Sequence, residues 1–247
     1  MKRYTWIVAI GVMAWASHAA AVTFSGRAVQ DLWDYDNAID PGGDTAIRVF
    51  GDGTTDSRIS TGDQKFDLTP VFLGGQQYEL TSARLTVWHY ARTTPPTSLN
   101  ALPIKARNLS PYLSDGVTLW TEANYNAAQR PAVDFSSSLA EGDLSASAPN
   151  TIFAISFELD VSKIDFQSAV DLGVLALALQ TDQPAAQPPN PSILYRYYSR
   201  EGSQAFFGDD RYAPLLELEA TVVPEPTTVT LVGAALGLLT VLIRRKA

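Results

Sequence analysis

The chain has no cysteine and only two histidines among its 247 residues. Without cysteine it has no disulfide framework, no thiolate nucleophile and no zinc–thiolate site. His18 lies in an apolar N-terminal segment, so His89 is the one imidazole of the central part of the chain. No nucleophile or carboxylate lies at a characteristic spacing from His89, which disfavours a Ser/His/Asp hydrolase. We therefore expect no catalytic residue and interpret His89 as a structural residue of a strand.

Basic residues are also few in the central part of the chain. Residues 22–223 contain 13 Lys and Arg against 25 Asp and Glu, because the N-terminal segment takes two of the 18 basic residues and the C-terminal segment takes three, together with one of the 26 acidic residues. Residues 22–223 are called the body of the chain below. A body with this excess of negative charge is not expected to bind nucleic acid or anionic lipid through its net charge. A multivalent cation is a more natural partner. The many acids leave open a two-carboxylate glycosidase, although the sequence marks no particular pair.

The first 21 residues have the three parts of a signal peptide. Lys2 and Arg3 precede an apolar run over residues 4–15, and small residues follow at positions 19–21. Signal peptidase requires small residues at its cleavage site. The sequence therefore predicts an exported protein whose signal peptide ends at residue 21.

The C-terminal segment, residues 224–247, predicts a membrane anchor. An uncharged run of residues 229–243 lies between a Pro-Glu-Pro sequence and a terminal basic cluster. As a helix, the run rises about 22 Å, short of the roughly 30 Å hydrocarbon core, so neighbouring threonines and snorkelling arginines must extend it. The basic cluster favours a cytoplasmic end, which leaves the body outside.

The order of these three parts resembles the PEP-CTERM sorting signal of Gram-negative bacteria that make exopolysaccharide or biofilm matrix. The resemblance implies a temporary anchor in the inner membrane, cut by an exosortase, and release of the body to the cell surface or extracellular matrix. The two prolines favour an extended, accessible linker. An ordinary single-pass anchor is the alternative. The sorting and processing residues are Pro224, Glu225, Pro226, Arg244, Arg245 and Lys246.

The body has the pattern of an all-β protein. Eight strands are predicted, at residues 45–50, 64–68, 79–91, 102–108, 151–160, 172–180, 192–199 and 214–222. Residues 151–160 alternate in polarity, as in a strand with one face in a core. Residues 172–180 are nearly all apolar, which predicts a strand buried on both faces, with a helix as the alternative. Residues 129–148 are predicted to form a surface loop with one helical turn.

Several phrases of the body, in order, resemble the DNRLRE module, an extracellular β-sandwich related to a carbohydrate-binding family. They include Trp-Thr-Glu at 120–122 and Ser-Arg-Glu-Gly at 199–202, and the full set lies at residues 44–48, 64–68, 80–87, 120–126, 157–161, 199–202 and 213–218. The chain departs from the family pattern at Lys65, where the family has arginine, and at residues 124–126. The resemblance spans residues 27–222 and implies one jelly-roll-like sandwich.

Sugar-binding modules stack sugar rings on exposed aromatic side chains and bind the hydroxyls with polar groups. Trp120 is expected to be a core residue. In residues 195–197, alternation places both tyrosines on one face, which is either core or groove. The candidate platforms are Trp33, Tyr35, Tyr125, Tyr195 and Tyr197.

The acidic segment 31–44 predicts a calcium site. Calcium takes six to eight oxygen ligands, and a loop rich in Asp and Asn supplies them. The segment lacks the glycine and terminal glutamate of an EF-hand. Solvated turn acids are the alternative interpretation. The candidate ligands are Asp31, Asp34, Asp36, Asn37, Asp40 and Asp44.

Together these patterns predict an all-β, antiparallel jelly-roll-like β-sandwich at residues 22–223, between a signal peptide (1–21) and a sorting signal with a transmembrane helix (224–247). We expect an exported, non-catalytic surface or matrix protein, structural or carbohydrate-associating. Two alternatives remain: a glycan-active enzyme with two acids facing a deep cleft, and an adhesion scaffold without sugar binding.

Overall fold

The computed structural model describes residues 20–35, 38–40, 44–49, 60–90, 103–126, 128–143, 151–181 and 195–223. Residues 1–19 of the predicted signal peptide and all of the predicted sorting signal lie outside these ranges. Among the described residues, no helix is both long enough and apolar enough to cross a bilayer.

The described chain is mostly β, with every strand pair antiparallel. Two α-helices are present, α1 (Phe166–Leu172) and α2 (Arg200–Phe207). The strands are β1 (Ala21–Arg27), β2 (Gln30–Tyr35), β3 (Ala38–Asp40), β4 (Ala46–Val49), β5 (Ser60–Asp67), β6 (Tyr78–Trp88), β7 (Pro103–Asn108), β8 (Ala140–Asp143), β9 (Ala154–Glu158), β10 (Val174–Thr181), β11 (Tyr195–Tyr198) and β12 (Leu215–Val222).

The first sheet has the strand order β1-β12-β6-β9. Strand β12 therefore has a partner on each side, and its last residues lie beside the start of β1, with Ala21 opposite Thr221. Alternation along β12 places Leu216 and Leu218 in the core. The alternation predicted for residues 151–160 is confirmed for residues 154–159, where Ile155, Phe157 and Leu159 are buried and the residues between them are exposed.

The second sheet has the order β3-β2-β5-β10-β7-β8 and packs its inner face against the first sheet. Phe66, Leu177 and Leu179 lie in this shared core. The outer face of β10 is covered too, because Ala176 and Ala178 pack beneath the segment that follows β7. The predicted doubly buried strand is thus confirmed for residues 174–180, and the helix alternative is wrong there. Leu172 instead ends α1.

Residues 109–139 form a covering segment over the outer face of the second sheet. Trp120 is fully buried at its centre, as expected, and packs in a cluster with Leu32, Leu109 and Leu113. Beneath it, the Lys65 ammonium donates to the Trp120 carbonyl and lies 4.2 Å from the centroid of the indole ring. Burial lowers the pKa of Lys65 to about 8. Strand β5 and the covering segment therefore contact each other through Lys65 and Trp120.

A two-stranded ribbon of β4 and β11 leads directly into α2. Ser199 caps this helix, since its hydroxyl accepts a hydrogen bond of 2.9 Å from the Gly202 amide. A side chain at Gly202 would overlap the Thr45 carbonyl, so only glycine allows the first turn of α2 to lie against the start of β4. The Ser-Arg-Glu-Gly phrase thus fixes where this helix begins.

Six elements were not predicted: β1, β2, β3, β8, α1 and α2. Residues 140–143, predicted to be part of a loop, form the edge strand β8. Strand β1 begins at Ala21, which is the last residue of the predicted signal peptide. The acidic segment predicted as a calcium loop contains β2, and this determines where its carboxylates point.

Candidate functional site

Three of the predicted aromatic platforms are wrong, because the structure places them in the interior. Tyr195 is 2% exposed, Tyr197 is 0% exposed and Tyr125 is 6% exposed. Tyr195 and Tyr197 face the shared core, where Gln64 donates a hydrogen bond to the Tyr197 hydroxyl. A buried ring cannot stack on a sugar.

Trp33 is half-buried and has polar partners. Its indole N–H donates to Asp44 Oδ2 at 3.1 Å, and the Arg48 guanidinium lies 4.5 Å from its ring centroid. Arg48 also pairs with Asp44 at 3.3 Å. This arrangement occupies one face of the ring. The side chain of Tyr35 lies outside the described residues.

The structure separates the predicted calcium ligands. Asp31 and Asp34 are three residues apart in β2, so they point to opposite faces of the sheet. The Asp44 carboxylate instead accepts a hydrogen bond from the Trp33 indole and forms an ion pair with Arg48. Asp31, Asp34 and Asp44 therefore do not form one site, because residues 31–35 form a strand where a coordinating loop was expected. Asp36, Asn37 and the side chain of Asp40 lie outside the described residues.

Asp31 belongs to a different acidic cluster, formed with Glu122 and Glu201. Within the described residues, strand β3 pairs with residues 33–35 of β2 alone, so the amide of Asp31 lies beyond that ladder, and it donates to Glu122 Oε1 at 3.0 Å. The backbone amide of Arg200 donates to Asp31 Oδ2 at 2.8 Å. One oxygen of each carboxylate lies within 4.8 Å of one oxygen of the others. Strand β2, the covering segment and α2 thus meet at three acids.

Arg200 neutralises part of the charge of this cluster. Its guanidinium donates to Glu201 Oε1 at 2.6 Å and to Glu122 Oε1 at 3.3 Å. Three carboxylates against one guanidinium leave an excess of negative charge when all three are ionised. Burial, followed by the negative charge of Glu201, raises the pKa of Asp31 well above its ordinary value, while the Arg200 amide acts in the opposite direction.

A second buried network lies on the outer face of the same sheet. The Tyr125 hydroxyl donates to Asp63 Oδ2 at 2.7 Å and lies 3.3 Å from Asp34 Oδ2. Arg130 pairs with the other oxygen of Asp34 at 2.9 Å. Burial raises the pKa of Asp63 to about 7, although the hydrogen bond from Tyr125 opposes this change. Burial also raises the pKa of Tyr125, so its hydroxyl remains a donor.

A surface recess of about 310 Å³ opens above this network. Asp34 and Arg130 line its polar side, and Phe135, 50% exposed, lines its apolar side. The lining is completed by Thr61, Tyr125, Pro131, Ala132 and Val133. The recess therefore places an exposed aromatic ring beside an ion pair.

Hydrogen bonds from Arg107 and to Asp134 fix the turn that contains Phe135. The buried guanidinium of Arg107 donates to the carbonyls of Phe135 and Ser137 at 3.0 and 2.9 Å. The Asp134 carboxylate accepts bonds from the Ser136 amide at 2.9 Å and the Ser137 hydroxyl at 2.6 Å. The hydrogen bonds of Ser136 and Ser137 lower the pKa of Asp134 to about 2. Phe135 thus occupies a pre-organised position.

His89 has a structural environment, as the sequence predicts. It is buried and stacks between Phe153 and Tyr195, with ring centroids 4.8 and 5.9 Å away. Its backbone bridges to Tyr197. Such a residue has no access to substrate.

No protein-family model and no curated protein matches this chain. Both the acidic cluster of Asp31 and the network around Asp63 are therefore identified from the geometry of the structure alone. Glu122, Glu201 and Phe135 were missed as site residues, because the acids of β2 that they meet are about 90 to 170 residues away in sequence. Glu122 and Glu201 do lie in the Trp-Thr-Glu and Ser-Arg-Glu-Gly phrases, and this was the one available signal.

Proposed function

We propose that this chain is an exported, non-catalytic protein of the cell surface or extracellular matrix, with a jelly-roll-like DNRLRE-type body that associates with carbohydrate. Signal peptidase removes residues 1–21, the C-terminal segment anchors the chain transiently in the inner membrane, and an exosortase cuts near Pro224, Glu225 and Pro226. The order of the terminal parts in the sequence supports this route. An extracellular polysaccharide is the proposed ligand.

The recess beside Phe135 is the observation that supports carbohydrate association. A sugar ring has an apolar face that stacks on an aromatic ring, and its hydroxyls bind carboxylate and guanidinium groups. Phe135 and Arg130 provide an aromatic ring and a guanidinium around one recess, and Asp34 orients Arg130 through their ion pair. Its volume is near the lower end of the roughly 300–1,000 Å³ typical of ligand pockets. It suits a short stretch of a polysaccharide held at the surface.

The burial of the clustered acids supports a non-catalytic role. A glycosidase places two carboxyl groups about 5–10 Å apart on either side of an accessible bond. Asp63 and Asp31 are 0% and 1% exposed, so neither reaches a substrate. Asp34 is largely buried and paired with Arg130. Among the acids of the two described clusters, no accessible pair faces the recess.

Binding to polysaccharide tests the ligand proposal. The protein is applied to a glycan array and to matrix polysaccharide, and Phe135→Ala is expected to weaken binding at least about tenfold while leaving the melting temperature unchanged, because an exposed side chain contributes little to stability. Val117→Ala is the matched control, since Val117 is 78% exposed and lies outside the recess lining. Equal binding by both variants would refute the recess as the site.

The same experiment separates the alternatives. Absence of binding to any glycan supports the adhesion scaffold, and release of shorter fragments from the polysaccharide supports the enzyme.

The sorting proposal has a separate test. Replacing Pro224, Glu225 and Pro226 with alanine should leave a longer product in the inner-membrane fraction, as measured by intact mass. A processed and released product from this variant would contradict recognition of the motif.

A further inference from the structure

We propose that Asp31, Glu122 and Glu201 bind one Ca²⁺ ion, which fastens the covering segment and α2 to the edge of β2. This inference is independent of sugar binding and of export, and it concerns a ligand set different from the one that the sequence suggested. Only Asp31 is common to both sets.

The first argument is that two buried carboxylate oxygens of the cluster have no hydrogen-bond donor beside them among the described residues. Asp31 is 1% exposed, and its Oδ1 atom has no hydrogen-bond partner among the described residues. Glu201 Oε2 is likewise buried without a partner in that part of the chain. Leaving a buried polar atom unpaired destabilises the folded state, and more so when the group is charged. Buried carboxylate oxygens therefore need a cation or a proton.

The second argument concerns charge balance. Arg200 already binds Glu122 and Glu201, so one guanidinium faces three carboxylates. When all three acids are ionised, these three carboxylates and the Arg200 guanidinium together carry two negative charges in excess. A divalent cation brings this balance to zero, whereas a single shared proton would leave one negative charge in a largely buried place.

The third argument concerns size. The ligand oxygens lie within 4.8 Å of one another. Two oxygens on opposite sides of Ca²⁺, each about 2.4 Å away, are separated by about 4.8 Å, so one ion can reach all three carboxylates. Calcium also accepts irregular arrangements of oxygen ligands, whereas Mg²⁺ requires a nearly ideal octahedron. Water or backbone carbonyls would supply the other ligands, since calcium takes six to eight.

The three acids come from distant parts of the sequence, which gives the ion a structural role. Asp31 lies in β2, Glu122 in the covering segment and Glu201 in the first turn of α2. An ion held by all three closes two long loops of the chain, as a disulfide would in a protein that had cysteine. Calcium should therefore stabilise the folded chain in proportion to its occupancy.

Calcium titration of the full-length protein in detergent tests this proposal. After removal of metal with a chelator, the melting temperature and the heat of binding are followed as CaCl₂ is added at pH 7.5. We expect saturable binding of one equivalent, a rise in melting temperature that EGTA reverses, and a weaker effect of MgCl₂. Absence of saturable Ca²⁺ binding by the wild-type protein would overturn the proposal, and it would favour a proton shared between Asp31 and Glu201.

Two variants and a control locate the ion. Glu201→Gln and Glu122→Gln keep the size of the side chain and remove one charge, and each should weaken Ca²⁺ binding at least about tenfold. Asp44→Asn is the matched control, because Asp44 lies in the same acidic segment but contacts Trp33 and Arg48. It should bind Ca²⁺ as the wild type does. Equal losses in Asp44→Asn and Glu201→Gln would contradict this site.

Two readouts keep misfolding separate from loss of the ion. Circular dichroism of each variant without calcium shows whether the sheets have formed. A folded Glu122→Gln or Glu201→Gln variant that still binds Ca²⁺ with wild-type affinity would overturn the assignment. A loss of calcium binding with glycan binding intact would support this site and leave the recess proposal standing.

Discussion

Replacing Asp63 with asparagine should change how the stability of the protein depends on pH. Asp63 lies under the covering segment, where burial raises its pKa to about 7. The groups that face it are the hydroxyl of Tyr125 and the ion pair of Asp34 with Arg130. The asparagine side chain would keep an oxygen that accepts from Tyr125, but it cannot ionise. The variant therefore isolates the titration of one carboxyl group.

The sign follows from proton linkage. A carboxyl group with a raised pKa in the folded state binds its proton more tightly there than in the unfolded chain. Its contribution to stability is complete below the unfolded pKa, and it is lost as the pH rises through the folded pKa. The window therefore runs from about pH 4 to about pH 7. The difference between about 7 and the ordinary 3.8, at about 1.4 kcal/mol for each pH unit, corresponds to roughly 4 kcal/mol.

Urea unfolding of wild type and Asp63→Asn, measured every half unit from pH 4.5 to 8.5, tests this reasoning. The free energy of unfolding of the variant should rise relative to wild type by roughly 3–4 kcal/mol between pH 4.5 and 7.5. Glu219→Gln, which removes an exposed acid of β12, is the charge control and should show no such relative rise. A difference between wild type and Asp63→Asn that stays constant within about 0.5 kcal/mol across the range would refute the argument.

Three further substitutions test the packing of the fold and the position of Phe135. Gly202→Ala should lower the free energy of unfolding by at least about 2 kcal/mol in a urea titration, because its Cβ overlaps the Thr45 carbonyl; a neutral effect would show that α2 moves freely. Trp120→Ala should cost about 3–5 kcal/mol by the same measurement, since the ring is fully buried; a loss below about 1 kcal/mol would mean that the covering segment collapses onto the gap. Arg107→Met should weaken glycan binding by releasing the turn of Phe135, and unchanged binding would contradict the pre-organised platform.

The strands that sequence reasoning found are those whose burial is visible along the chain. Residues 174–179 of β10 are apolar on both faces because another layer covers each face, and β9 alternates because only one face is covered. Strand β8 has the sequence Ala-Glu-Gly-Asp and lies at a sheet edge, so neither pattern occurs in it. A strand that is stabilised mainly by its neighbour's hydrogen bonds leaves little trace in its own residues.

The sites were harder to predict, and β2 shows the reason. Asp31 and Asp34 resemble solvated loop acids in sequence, yet both are buried because Arg200 and Arg130 come to them from far along the chain. The sequence could not decide whether Tyr195 and Tyr197 lie in the core or in a groove for the same reason. Alternation places both on one face of the strand, but the residues that cover this face are distant in sequence. Polarity predicts burial only when the partners are known.

The position of β12 between β1 and β6 has a mechanical consequence. Val223, the last described residue, directly follows β12, so tension applied at this point acts along the strand. To extract β12, the force must break its hydrogen bonds to both neighbours together, because the ladders on its two sides are loaded in shear at the same time. A strand at the sheet edge would peel away one bond after another. The sandwich should therefore resist pulling at this end.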